Sequence, residues 1–254
     1  MAHRVSARYF GLKLGEALQA AAAAAQSSAT ASLSEALQRG MAAYRARLTM
    51  PMLIGGAAMA PTLNPKGASQ PDAVEHLLVR LLPRPSERSV FAGDVVAFTS
   101  PLTLAVAAGP AGVAGLPLGG GGAAAAAAAD QEELAERLRH SAMVRRVAAM
   151  PGDELVTGEE EDSESFVVPE GHCWVLADNE AMQPPHVIDS RSFGPLPLVN
   201  IVGRILYAAR SESDHGPVEN SEEGMAADAP VVEAELDIGA LCGGGGGGGG
   251  PGEE

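Results

Sequence analysis

The sequence is poor in the residues that usually build metal sites, disulfide frameworks and dense cores. Its two cysteines, Cys173 and Cys242, cannot form a disulfide framework or, by themselves, a structural zinc site. The six histidines are scattered without ligand spacing on a shared element, so neither a metal nor a cofactor is expected. Aromatic residues are 4% of the chain. Much of the 46% hydrophobic content is alanine, in runs at 20–25 and 123–129, and alanine adds little buried area. The composition therefore suits one domain of roughly 150 residues with low-complexity additions. A clean membrane-spanning window is also lacking. The nearest, 99–129, carries no charge, but Pro101, Pro110, Pro117 and the glycines at 119–122 interrupt it. It reads as a flexible low-complexity insertion between two strands.

The net charge of −15 is unevenly placed. Before Met59 the chain is basic, with Arg4, Arg8, Lys13, Arg39, Arg45 and Arg47 against Glu16 and Glu35. After Tyr207 it is acidic, and Arg210 is the one Lys or Arg. An acidic chain without a basic stripe is a poor nucleic-acid binder, so that class is set aside.

Residues 1–49 are rich in alanine and serine, bear arginine and have few acids. Val5, Tyr9 and Leu12 fall on one helical face beside Arg4, Arg8 and Lys13. Two readings stay open: an organellar transit segment, or an amphipathic helix that stays and packs on the protein. At 72–83 the spacing of Val74, Leu77, Leu78 and Leu81 fits a helix. The short run Leu77-Leu78-Val79-Arg80-Leu81-Leu82, closed by Pro83 and Pro85, fits a buried strand better. A turn at Gly93-Asp94 leads into the strand Val95-Val96-Ala97-Phe98. Asp130 and Glu133 make a capping-box-like start for a short helix to about Arg139. Strands follow at 143–149, 154–156, 165–168, 173–176 and 201–207, with Pro151-Gly152-Asp153 as a turn and an acidic solvated tip at 159–162. This density of strands and turns indicates an antiparallel, mainly β domain. Beyond Ala208 the chain reads as an acidic tail ending in glycines at 243–250.

Four stretches stand out together: Gly55-Gly56-Ala57-Ala58-Met59-Ala60-Pro61-Thr62-Leu63; Gly93-Asp94; Arg145-Arg146-Val147 running into Pro151-Gly152-Asp153; and Asp178-Asn179 with Asp189-Ser190-Arg191, Gly194-Pro195 and Gly203-Arg204. In this order and spacing they resemble the boxes of the type I signal peptidase family, which includes the mitochondrial inner membrane proteases. The resemblance runs over roughly 53–207, without the insertion. It implies a signal-peptidase-like antiparallel β domain at 50–208, with a short helix and the insertion at 100–129, between a leader-like 1–49 and a tail at 209–254. The chain also resembles a plant-type branch of that family, through its Val-Arg-Arg box, Asp214-His215-Gly216-Pro217-Val218 with Asn220-Ser221, and the later 232–237. That implies a green-lineage organellar protein.

In the family a serine before the Met of the first box attacks, and a lysine six residues before the Pro of Pro-Gly-Asp is its base. A serine hydroxyl needs such a base, and a lysine serves only when burial makes its amine neutral. Carried over by position, the nucleophile falls on Ala58 and the base on Arg145, a guanidinium that stays protonated. The oxyanion side chain falls on Gly56, and a serine that orients the lysine falls on Val187. No catalytic residue is thus assigned. The scaffold positions Met59, Pro61, Thr62, Leu63, Gly93, Asp94, Arg146, Pro151, Gly152, Asp153, Asp178, Asn179, Asp189, Ser190 and Arg191 all carry family residues, whereas Ala177 stands where glycine is usual. Asp189 and Arg191 suit an internal salt bridge, and His172 and Cys173 suit core or surface positions on a strand. Thr62 has no evident base. The resemblance implies a non-catalytic or peptide-binding subunit at the mitochondrial inner membrane, beside an active protease subunit or an inner-membrane complex, or holding an extended presequence peptide. A chloroplast location and a working serine-type endopeptidase are the alternatives.

Overall fold

The computed structural model describes residues 6–27, 33–102, 136, 142–157 and 164–243. The insertion beyond Leu102, the helix expected at 130–139 apart from residue 136, the acidic tip and the glycine run beyond Gly243 lie outside these residues.

The described residues form ten strands: β1 (Thr49–Gly55), β2 (Val74–Leu81), β3 (Val95–Thr99), β4 (Ala142–Ala149), β5 (Glu154–Thr157), β6 (Glu164–Val167), β7 (His172–Leu176), β8 (Leu196–Pro197), β9 (Ile201–Ser211) and β10 (Asp214–Pro217). Eight share one antiparallel sheet in the order β1-β2-β9-β3-β4-β7-β8, with β10 added to β9; β5 and β6 form a separate hairpin. The segment 72–83 is a strand, as the bounding prolines indicated. The helical spacing there arises because β2 is buried on both faces from Leu77 to Leu81, so apolar residues fill consecutive positions.

Both faces of β2 and β9 are covered. Leu77, Val79 and Leu81 point into the main core with Val95, Ala97, Val144, Val202 and Ile205. Leu78, Leu206 and Ala209 point the other way, onto helices. Gly203 is required where these strands meet, since a Cβ there would lie 2.3 Å from the Arg80 carbonyl oxygen. A second core of Val96, Phe98, Val147, Val175, Leu196 and Ile201 fills the β3-β4-β7-β8 end.

The covering helices come from both ends of the chain. Helices α1 (Ala7–Ser27) and α2 (Leu33–Arg45) form a hairpin whose close approach is set by Gly40 against Ala17 and Ala21. Its Tyr9 and Leu12 pack on Leu48, Leu206 and Val231. After the single-turn α3 (Ser190–Phe193) come α4 (Glu222–Glu235) and α5 (Ile238–Gly243). The stretch after Ala208, expected to be an acidic tail, instead completes β9, adds β10 and supplies two packed helices up to Gly243. Acidity misled the expectation because two of its acids are buried ligands. Asp228 meets Arg204 at 3.1 Å and Arg80 at 3.6 Å. Glu235 accepts from Tyr9 Oη at 2.6 Å, Leu48 N at 2.9 Å, and Thr49 N and Oγ1 at 2.9 and 2.7 Å.

Candidate functional site

The first box forms the loop that leaves β1. Asn64, at a left-handed φ of 47°, donates from Nδ2 to the carbonyls of Gly56 (2.9 Å) and Ala73 (2.8 Å), while its backbone N–H donates to Glu75. Met59 and Leu63 drive their side chains into the main core. With those two residues anchored inside, Gly56 is left exposed and Ala57 and Ala58 half-buried on the outer side of the loop. Pro61 and Thr62 complete the turn between the anchors.

The last box holds this loop from the opposite side. Asn179 donates from its backbone N–H to the Ala58 carbonyl at 3.1 Å and from Nδ2 to the Ala57 carbonyl at 2.9 Å. The structure thus brings Ala58 beside Asp178-Asn179. Arg145, on β4, is buried; its Nε donates to the Ile188 carbonyl (3.0 Å) and its Nη1 to the Val144 carbonyl (2.6 Å). Val187, one residue from that carbonyl, is buried. Burial pushes the Arg145 guanidinium below its ordinary range, and Asp189 opposes the shift. A guanidinium nonetheless stays protonated and has no lone pair to offer. Ala58 presents a methyl group, which cannot attack a carbonyl.

The remaining box residues hold the frame. Arg146 lies on the other face of β4 and grips Asp178 with two hydrogen bonds of 3.0 and 2.8 Å, while its Nη1 reaches the carbonyls of Gly93 (2.7 Å) and Glu219 (3.0 Å). Asp94 is fully buried. It accepts from Phe91 N at 3.0 Å and Ser221 Oγ at 2.6 Å, and pairs with Arg204 Nε at 3.0 Å. Gly93 and Gly152 take φ values of 95° and 88° in their turns, where a side chain would be strained. Beside Pro151, Asp153 accepts from Met150 N at 2.8 Å.

Asp189 caps α3 by accepting from Arg191 N at 3.0 Å and pairs with Arg191 Nη2 at 2.7 Å, the internal salt bridge the sequence suggested. Burial pushes its carboxyl upward, but the Arg191 side chain and the Ala177 and Arg191 N–H groups outweigh burial and hold it below the ordinary range. Ser190 Oγ accepts from Val175 N at 2.9 Å. Cys173 is buried, with its thiol pushed up to about 12 by desolvation, and His172 is half-buried on the alternate face.

A cleft of about 520 Å³ runs over Thr62, Arg146, Leu176, Asp178, Gln183 and Arg191. Asp178 is committed to Arg146, and Arg191 to Asp189 and Gln183, so none of these is a ready base for the Thr62 hydroxyl. A different feature suits a chain in extended conformation. Among the described residues β1 pairs with β2 alone, and β4 pairs with β7 only from Arg146 onward. Met50, Met52 and Ile54 of β1 and Ala142 of β4 lie half-buried on the same core. Sequence reasoning had not identified β1, Asn64 or the role of Asn179; the pattern Pro-Thr-Leu-Asn before a proline was the available signal for the left-handed turn.

No family model matches the chain. Over 96 residues it is 45% identical to the mitochondrial ATP-independent inner membrane protease subunit 2 of Arabidopsis thaliana, covering 38% of this chain and 46% of that protein. It is 29% identical over 161 residues to the mitochondrial inner membrane protease subunit 2 of Danio rerio, covering 62% of each. Against the human mitochondrial inner membrane protease subunit 1 it is 37% identical over 87 residues, 33% of this chain and 49% of the relative. The chain thus spans less than two thirds of the length of each of these relatives. With boxes and fold in agreement, its homologues are the mitochondrial inner membrane protease subunits of the type I signal peptidase family.

Proposed function

We propose that this chain is a non-catalytic, peptide-holding subunit of the mitochondrial inner membrane protease type. The observation that carries the reading is the pair at the chemistry's two positions: a methyl group at Ala58 and a protonated guanidinium at Arg145, held by the Ile188 and Val144 carbonyls. Neither can supply the nucleophile or the base of a Ser/Lys reaction. The surface for an extended chain does not depend on that pair. Main-chain hydrogen bonding to an open strand edge gives affinity without any catalytic group, and β1 and the first half of β4 offer such edges over Met50, Met52, Ile54 and Ala142. The homologues support association with the mitochondrial inner membrane, and their being protease subunits supports a place beside an active subunit.

The test is incubation with a fluorescently labelled presequence peptide. The unmodified chain binds it, seen as a rise in anisotropy, and leaves it intact. Cleavage that survives removal of contaminating proteases, or absence of binding, refutes the proposal. The variant Ala58→Ser/Arg145→Lys restores both side-chain types, and cleavage by it alone supports a preserved scaffold. Affinity purification from mitochondria, with a relative bearing the intact pair co-eluting, tests the subunit role.

A further inference from the structure

We propose that the α1–α2 hairpin docks on the surface of an anionic bilayer through an apolar face that stays exposed among the described residues. Phe10, Leu14 and Leu18 recur at i, i+4 and i+8 along α1, and Leu33, Leu37, Met41 and Tyr44 at i, i+4, i+8 and i+11 along α2; all seven are exposed, Leu33 by 87%. Each set lies on one helical stripe. The other two sides of the hairpin are used. Tyr9, Leu12 and Glu16 of α1 face the sheet and its cover, through Glu235, Leu206, Val231, Arg80 and Arg84. Ala17 and Ala21 meet Gly40 of α2. The remaining apolar stripes lie away from the protein body.

Seven large side chains form a patch beyond what a monomeric soluble surface ordinarily shows. Its charge setting favours lipid over protein. The chain is strongly acidic, yet the open end of the hairpin, where α1 begins and α2 ends, carries exposed Arg8, Arg45 and Arg47. Arg47 also reaches Glu235 at 3.7 Å. Basic side chains bordering an apolar helical face, with an aromatic residue on each helix, are the arrangement of interfacial helices on anionic lipid. None of the described helices is long and apolar enough to cross a membrane, so the hairpin lies in the interface plane. The proposal rests on this geometry and not on the peptide-holding reading.

The experiment is co-sedimentation of the full chain with vesicles of phosphatidylcholine alone and of phosphatidylcholine with cardiolipin. The unmodified chain sediments with the anionic vesicles and much less with the neutral ones. Leu14→Glu/Leu37→Glu lowers partitioning by roughly tenfold or more, with circular dichroism and melting unchanged because both side chains are exposed. Undiminished sedimentation of that variant, or no sedimentation of the unmodified chain, overturns the proposal. So does size-exclusion chromatography showing a dimer that Leu14→Glu/Leu37→Glu dissociates, since the face would then be an interface between copies. Presequence peptide affinity is the same in the variant, which keeps this test separate from that of the proposed function.

Discussion

Replacing Glu235 by glutamine tests whether the C-terminal segment belongs to the fold. The carboxylate receives four hydrogen bonds, two on each oxygen: Tyr9 Oη and Leu48 N on one, Thr49 N and Oγ1 on the other. Every partner is a donor. An amide must turn its NH₂ toward one pair, and each pair contains a backbone N–H, which cannot reverse its role as a hydroxyl can. One main-chain donor in a buried setting therefore faces another donor, at a cost of about 1–3 kcal/mol. Loss of the charge weakens the remaining bonds, each worth about 1.5–3 kcal/mol when ionic and about 1 kcal/mol when neutral. The expected loss is about 3 kcal/mol, or a fall in Tm of about 6–12 °C for a chain of this size. Urea and thermal unfolding measure it, with Glu233→Gln as the exposed neighbour, which should stay within about 0.5 kcal/mol. A loss below about 1 kcal/mol for Glu235→Gln would refute the claim that this carboxylate ties α4 to β1 and α1.

Gly224→Ala reverses the usual sign of a helical substitution. Alanine gains about 1 kcal/mol of helix propensity, but its Cβ would lie 2.6 Å from Asp94 Oδ1 and 2.7 Å from Arg204 Nη1, forcing a buried ion pair apart. A net destabilisation of about 1–3 kcal/mol is expected in urea unfolding, and a stabilised variant would contradict the packing. Stability should also fall in acid. Asp189 and Glu235 sit below their ordinary ranges because hydrogen bonds outweigh burial. The unfolded chain then binds protons more readily, so their contribution is complete above the unfolded values of about 4 and lost as pH drops through the folded ones. Asp228 is shifted upward by burial against its two arginines, so it works in the opposite sense. Asp189→Asn and Glu235→Gln should each flatten the acid limb of stability against pH, whereas Asp228→Asn should steepen it.

Strands β2 to β7 and β9 were legible because short apolar runs there end at turn residues such as Gly93-Asp94 and Pro151-Gly152-Asp153, and the boxes placed them in family order. The C-terminal helices were not. In α4, Pro230 interrupts the helix pattern, Gly224 lowers propensity, and the sequence has little amphipathic contrast. Asp228 and Glu235 look solvated until the chain folds them against Arg80, Arg204 and β1. A signal for this cover was present in β2 and β9, whose apolar side chains occupy consecutive positions such as Leu77-Leu78-Val79 and Ile205-Leu206. A sheet open to water on one face would have alternated. At the site, the box spacing pointed to Ala58 and Arg145. The grip of Asn179 on the Ala57 and Ala58 carbonyls was not legible, since it joins residues more than a hundred positions apart.

The survival of the boxes follows from what their side chains hold together. A buried chain of charges runs from Glu16 of α1 through Arg80 of β2, Asp228 of α4 and Arg204 of β9 to Asp94. Two of its members, Asp94 and Arg204, are box residues, and Asp94 continues through Ser221 to the start of α4. Removing one partner from such a network leaves an uncompensated buried charge, at about 3–5 kcal/mol. Arg146, Asp178, Asp189 and Arg191 likewise fasten β4, α3 and the loop before it. These residues would be needed whether or not the chain cleaves peptides, so their presence is no argument for proteolysis. Nothing comparable depends on a hydroxyl at 58: the fold uses that residue through its carbonyl, which any amino acid provides. Deleting everything after Ala208 would consequently unfold the protein rather than trim a tail, so it could not test that segment for partner contacts. It would remove Asp228 from two arginines and Glu235 from β1, and the resulting loss of binding would report unfolding. Only substitutions at exposed positions can separate a contact surface from the scaffold that carries it.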